Sequence, residues 1–150
     1  MTDKISYNGY ELPAYQPAAY GYTSVVTHNG VAYVSGHVPK TGAHGLYPGK
    51  VGADVTVEQA QEAARLAVLN ALATMRHYLE NLDRVSHILK ITVFVASAKD
   101  FHRQPQVADA ASNLLNDIFG DRGRHARSAI GVAELPRNSS VEVELTVAVE

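Results

Sequence analysis

The most regular pattern in the chain is its last one. Val141, Val143, Leu145, Val147 and Val149 alternate with Glu142, Glu144, Thr146 and Ala148. A period of two sends the first set to one face of a strand and the second set to the other. A second run, His87 to Ser97 (HILKITVFVAS), is rich in β-branched residues and predicts a central strand, with Lys90 and Thr92 on a polar side. Thr23 to His28 and Val31 to Ser35 flank Asn29-Gly30. Asn-Gly supplies the two positive φ angles of a type I′ turn, so these segments predict a hairpin whose second strand closes at Ser35-Gly36-His37. His125 to Leu135 predicts one further strand.

Two stretches follow a helical period instead. Ala60, Ala64, Ala67 and Ala71 recur at helical spacing, and Leu66 and Leu69 widen the stripe. Thr56 stands where an N-cap belongs and Gln59 at the capping-box position. Small residues on the stripe let this helix lie close against a sheet, and it is expected to end near Leu82. The second helix runs from about Gln104 to Phe119. Pro105 suits its first turn and Gly120 its stop. Its buried face is expected to hold Val107, Ala110, Ala111, Leu114, Leu115, Ile118 and Phe119. Residues 1–20, rich in Tyr, Pro and Ala, predict a loop-like lead-in, because Pro13 and Pro17 disfavour a helix. Five glycines and prolines between Lys40 and Gly52 predict an irregular surface loop.

The order β-β-α-β-α-β-β predicts an α+β fold, one mixed sheet with two helices packed on one face. The face left open carries Thr92, Glu142, Glu144 and Thr146 among apolar residues. Were it merely wet, Tyr33, Ile91 or Phe94 would crowd near water, so a second subunit is expected to cover it.

Composition narrows the function classes. At 150 residues, with 46% hydrophobic and 19% charged residues, the chain suits one folded domain over 1–150. A formal net charge of −2 and no basic tract disfavour nucleic-acid binding. The chain has no cysteine, which excludes disulfides, a thiol nucleophile and thiolate metal sites. Neither a secretory leader nor a membrane-spanning run stands out, so the cytoplasm is the default location. The seven histidines fall into no ligand spacing, so no metal is expected. His125 is the one to watch, because strand period puts it on the same side as Arg127 and Ala129. Arg122, Arg124 and Arg127 around Gly123 otherwise look like a solvated loop leading into a strand.

Four segments carry a resemblance. His125-Ala126-Arg127-Ser128-Ala129-Ile130-Gly131-Val132-Ala133-Glu134-Leu135-Pro136 resembles the A-R-S and V-A-x-L-P signature of the reactive intermediate deaminase (Rid, YjgF-like) family, also called the endoribonuclease L-PSP family. Val141-Glu142-Val143-Glu144 is similar to that family's terminal acidic strand, and Tyr33-Val34-Ser35-Gly36-His37-Val38-Pro39 to its Y-V-S-G-x-x-P segment. Lys90 to Val95 resembles its central strand, with Asp100-Phe101 just after. Order and spacing fit from about Tyr22 to the C-terminus. The Tyr/Pro-rich start and Gly-rich loop resemble a divergent branch.

The resemblance implies a chorismate-mutase-like fold and a homotrimer with small carboxylates bound in clefts between subunits. For competent branches it implies hydrolysis of 2-imino or enamine acids, released by pyridoxal-phosphate enzymes, to 2-keto acids and ammonia, with no cofactor. It also implies roles. Arg127 would hold the substrate carboxylate through its planar fork of donors, and Glu142 would orient the attacking water. Tyr22 would line the cleft, Ser35 and Gly36 would present a hydroxyl and backbone groups, and Ser128 would act similarly. Read without the motif, Arg127 is a strand arginine in a surface ion pair, Glu142 a solvated glutamate and Tyr22 a rim tyrosine. Gly36 is then a bulge or strand end and Ser128 a strand hydroxyl.

Three positions depart from the family pattern. Ala129 stands where a cysteine is common, Pro105 where an asparagine early in the second helix is common, and His37 where a glutamine is common. Carboxylate capture survives these changes, and a non-catalytic module that senses a small carboxylate is the alternative. A ribonuclease is the third reading, against which the charge balance speaks.

Overall fold

The computed structural model describes residues 4–150. Met1–Asp3 of the expected lead-in lie outside the described residues. The rest of the lead-in is not a plain loop. Strands β1 (Ser6–Tyr7) and β2 (Tyr10–Glu11) form a small hairpin. Its turn is Asn8-Gly9, with φ of 48° and 85°, the same chemistry as the predicted Asn29-Gly30 turn. Tyr7 packs on Phe119 at 5.7 Å and donates to Asp83 at 2.8 Å. Arg122 donates to the Val85 carbonyl at 2.6 Å and to the Tyr7 hydroxyl at 3.2 Å. Arg122 is therefore a latch for this hairpin and not the solvated loop residue expected.

The predicted hairpin follows as β3 (Val25–His28) and β4 (Val31–His37). The expected irregular loop holds one more short hairpin, β5 (Lys40–Thr41) with β6 (His44–Gly45). Helix α1 (Val57–Leu79) starts at Thr56 with both halves of the capping box formed. It stops three residues before the expected end, because Leu82–Arg84 tightens into a 3₁₀ turn capped by Asn81. Strand β7 (Val85–Ala96), helix α2 (Gln104–Phe119), strand β8 (Ala126–Val132) and strand β9 (Val141–Val149) complete the chain. No helix among the described residues is long and apolar enough to cross a membrane.

The main sheet has the order β3-β4-β9-β7-β8. β7 and β8 run parallel and the other neighbours antiparallel, so the sheet is mixed as expected. Both helices cover one face. Ala60, Ala63, Ala64, Ala67 and Ala71 of α1 are fully buried, which lets its backbone approach Val143, Leu145 and Val147 of β9. Ile91 belongs to this covered face and is fully buried, which corrects its expected place near the open one. The open face pairs Phe94 with Glu142 and Ile130, Thr92 with Glu144 and Ser128, and Tyr33 with Thr146 and Val26. Tyr33 and Val26 are both 52% exposed there.

Candidate functional site

The sheet breaks step once in β4. Val34 faces Leu145, but the next register partner is His37 opposite Val143. Three steps along β4 match two along β9, which is a β-bulge and re-aims the strand. Gly36 lies in that bulge. A Cβ on Gly36 would stand 2.7 Å from Oε1 of Glu142 and 2.8 Å from its carboxyl carbon. Glycine here is therefore what allows the Glu142 carboxyl group to lie across β4. Beside it opens a cleft of about 540 Å³, lined among others by Tyr22, Ser35, Gly36, His37, Thr74 and Glu142.

Burial sets the charges in this cleft. Glu142 is half-buried, and burial pushes its carboxyl above the ordinary glutamate value, with Glu144 on the same face adding to the rise. His37 bridges Ser35 and Thr74: Nδ1 lies 2.7 Å from the Ser35 carbonyl and Nε2 lies 2.8 Å from the Thr74 hydroxyl. A carbonyl only accepts, so Nδ1 carries the proton and Nε2 of the neutral ring accepts from Thr74. Burial lowers the His37 pKa, partly offset by the Ser35 carbonyl, and the charge of Lys40 lowers it further. The Ser35 hydroxyl donates to the Thr23 carbonyl at 3.1 Å, which ties β4 to the segment carrying Tyr22.

Arg127 lies elsewhere. It extends from the edge strand β8 toward α2, where Nη1 donates to Asp109 at 2.8 Å and to the Ser112 hydroxyl oxygen at 3.2 Å. Nε and Nη2 make no hydrogen bond among the described residues. His125 sits on the same side, as strand period predicts. Its Nδ1 donates to the Gly123 carbonyl at 2.6 Å, and its Nε2 accepts from Ser112 at 2.8 Å. Arg127, Ser112, His125 and Gly123 thus form one chain of hydrogen bonds in which each member orients the next. A shallow cleft of about 300 Å³ lies over Ser112, Asn116, Arg124, His125 and Arg127.

The structure gathers Tyr22, Ser35, Gly36 and Glu142 in one cleft and leaves Arg127 in another. Ser128 lies on the open sheet face beside Thr92 and lines neither cleft. Asn70, Thr74, Lys40 and Arg137 are among the lining residues that sequence reading does not single out. Asn70 and Thr74 interrupt the alanine stripe of α1 at a helical spacing, which is a usable signal. Lys40 and Arg137 carry no signal beyond their charge.

The chain is similar to several known proteins. The family model described as "YjgF/chorismate_mutase-like, putative endoribonuclease" matches residues 3–149. Protein TCP17 of Trypanosoma cruzi is 42% identical over 140 residues, covering 93% of this chain and 88% of that protein. The crystal structure of Atu1372 from Agrobacterium tumefaciens, a protein of unknown function, is similar with a TM-score of 0.88 at 37% identity, covering 95% of this chain and 87% of that one. The 2-iminobutanoate/2-iminopropanoate deaminase of Dermatophagoides farinae is 31% identical over 104 residues, covering 68% of this chain and 75% of that protein. With a family model spanning nearly its whole length and the expected two-helix, mixed-sheet fold, this chain belongs to the YjgF/chorismate-mutase-like (Rid, endoribonuclease L-PSP) family.

Proposed function

We propose that the protein hydrolyses short-lived 2-imino or enamine acids to 2-keto acids and ammonia, in clefts shared between the subunits of a homotrimer. One observation carries this reading. Glu142, its pKa raised by burial, lies across Gly36 in a cleft that also holds Tyr22 and Ser35. A carboxyl group so placed can take a proton from water and return it. Water adds to the imine carbon while Glu142 accepts its proton. The same proton goes to nitrogen to give a carbinolamine, and Glu142 then carries the hydroxyl proton to nitrogen as the C–N bond breaks, leaving a keto acid and ammonia. One water enters, one ammonia leaves, and no electrons are exchanged. An enamine first gains a proton at its β-carbon to become the imine. Arg127 of a neighbouring subunit holds the substrate carboxylate through Nε and Nη2, the donors its own subunit leaves unbonded. The apolar residues on the open sheet face, Tyr33 and Val26 foremost, favour association of subunits.

The test is hydrolysis of 2-iminobutanoate and 2-iminopropanoate, generated in situ by an amino-acid oxidase and trapped with semicarbazide. Wild type is expected to accelerate both. Because the Glu142 pKa is raised, the active carboxylate is lost on the acid side at a pH above the ordinary glutamate value. kcat/KM should therefore fall as pH drops through that raised pKa, and Glu142→Gln should remove this limb. An unchanged acid limb in Glu142→Gln would exclude it as the proton carrier. Gly36→Ala is a sharper probe of placement. The new methyl group displaces the flexible end of Glu142 rather than backbone, so the melting temperature should hardly move. kcat should fall by roughly 10–100-fold, the effect of a misplacement near 1 Å. A Gly36→Ala variant with wild-type kcat would show that the close approach is dispensable.

A second reading, capture of a small carboxylate without turnover, is favoured by one contact: Asp109 already occupies Nη1 of Arg127. Absence of acceleration for every imine, with keto acids still bound, would select it.

A further inference from the structure

The Glu142 cleft holds more positive charge than one carboxylate requires. Lys40 and Arg137 both line it, and neither has a carboxylate partner among the described residues. Burial lowers the Lys40 pKa first, and the charge of Arg137 lowers it further. Two like charges in a partly desolvated cleft repel one another and favour an anion between them.

The backbone that carries each cation is held in place. Asn70, only 6% exposed on α1, donates through Nδ2 to the Val38 carbonyl at 3.0 Å and the Lys40 carbonyl at 2.9 Å. Gln16 donates to the same Lys40 carbonyl at 3.3 Å. The backbone carrying Lys40 is thereby fixed from α1 and from the N-terminal segment. Arg137 stands at φ 60° and ψ 24°, in the left-handed region that side chains seldom adopt. The adjoining Asn138 carbonyl accepts from the Gly49 amide at 2.8 Å, which holds that turn. A strained arginine in a pinned turn at the rim of a cleft is an observation that asks for a role.

We propose that Lys40 and Arg137 form a second anion subsite, so that the ligand of this cleft is a dicarboxylate: a 2-imino or 2-keto acid with another carboxylate at the far end of its chain. The first carboxylate and the reacting carbon belong at the Glu142 end. The second reaches past His37, which the Ser35 and Thr74 contacts hold in place, to the two cations. This specificity rests on the reading of the cleft given above, but its test does not need turnover.

Calorimetric titration of the intact protein with three probes isolates the charge. 2-Oxoglutarate carries the second carboxylate. 2-Oxoglutaramate has the same length with a neutral amide there, and 2-oxobutanoate lacks the group. The dicarboxylate should bind about tenfold or more tighter than either other probe, as a hydrogen-bonded charge pair gives. In the double variant Lys40→Met with Arg137→Asn this ratio should fall to near one. Asparagine is chosen because it tolerates the left-handed backbone. Arg137→Lys should keep most of the preference. If the double variant does not fold, Arg137→Asn alone, on an exposed turn, should still lower the ratio. Equal affinity of wild type for all three probes overturns the proposal, as does a preference that survives loss of both cations. A dicarboxylate preference in a protein that hydrolyses no imine would retain the subsite and discard the deaminase.

Discussion

If the protein is the trimeric deaminase proposed above, mixing Arg127→Ala with Glu142→Ala subunits is expected to restore about a quarter of wild-type imine hydrolysis after random assembly. Each variant alone should lose roughly a hundredfold or more, since each removes charge-assisted contacts made by the reacting molecule. The recovery follows from where the two residues lie. Arg127 projects from β8 toward α2, while Glu142 projects from β9 on the opposite, open face of the sheet. β7 separates their strands, and neighbouring strands stand about 4.8 Å apart. In a 2-imino acid the carboxylate and the reacting carbon are bonded neighbours. No such molecule can touch both residues of one subunit. If each cleft takes Arg127 from one subunit and Glu142 from the next, an equal mixture gives about one cleft in four with both residues intact. Subunit exchange between the purified variants, followed by the semicarbazide assay, measures this. Activity that stays at the level of the separate variants would mean that the pair does not act across an interface.

Much of the fold is legible because its local signals agree with one another. The alternation of Val141 to Val149 survives intact in the burial of β9. The capping box at Thr56 and Gln59 forms as written, and Gly120 ends α2 at a positive φ of 62°. What escapes reading depends on partners distant in the chain. The β1–β2 hairpin is only two residues long on each side, too short for periodicity to show. It is held by Tyr7, Asp83, Arg122 and Phe119, which no local pattern connects. Ile91 looks as ready for the open face as Phe94 until the register with Leu145 and Arg127 is known.

The site divides in the same way. Glu142 and Gly36 belong to motifs, yet their contact needs a bulge that the motif does not announce. Arg127 is named by its motif, but Asp109 and Ser112, which orient it, are one helix away. His125 could be placed from strand period alone. Its link to Arg127 through Ser112 could not, because α2 must first pack on β8. Lys40 and Arg137 lie nearly a hundred residues apart in the chain and come to line one cleft only in the folded structure.

Gly123→Ala is expected to destabilise the protein by about 2–3 kcal/mol, the scale of overpacking where neighbours cannot yield. For a chain of this size that is a fall in melting temperature of roughly 5–10 °C. Gly123 is buried in the turn between α2 and β8. A Cβ there would overlap the Leu115 carbonyl oxygen, and would stand 2.9 Å from the Leu115 carbonyl carbon and 3.0 Å from Cα of Asn116. All three are backbone atoms of α2, so relief requires moving the helix end itself. The contrast with Gly36 is direct, because there the obstacle is the flexible end of a side chain. Gly123 also supplies the carbonyl that accepts from His125, at the far end of the hydrogen-bond chain leading to Arg127. Gly123→Ala should therefore weaken carboxylate binding as well as the fold, whereas Gly36→Ala should spare the fold and affect only the site. Thermal and urea unfolding of the two variants, alongside their affinity for a keto acid, separate these effects. A Gly123→Ala protein as stable as wild type would show that the α2–β8 turn has room to shift, and that the Arg127 network does not depend on its position.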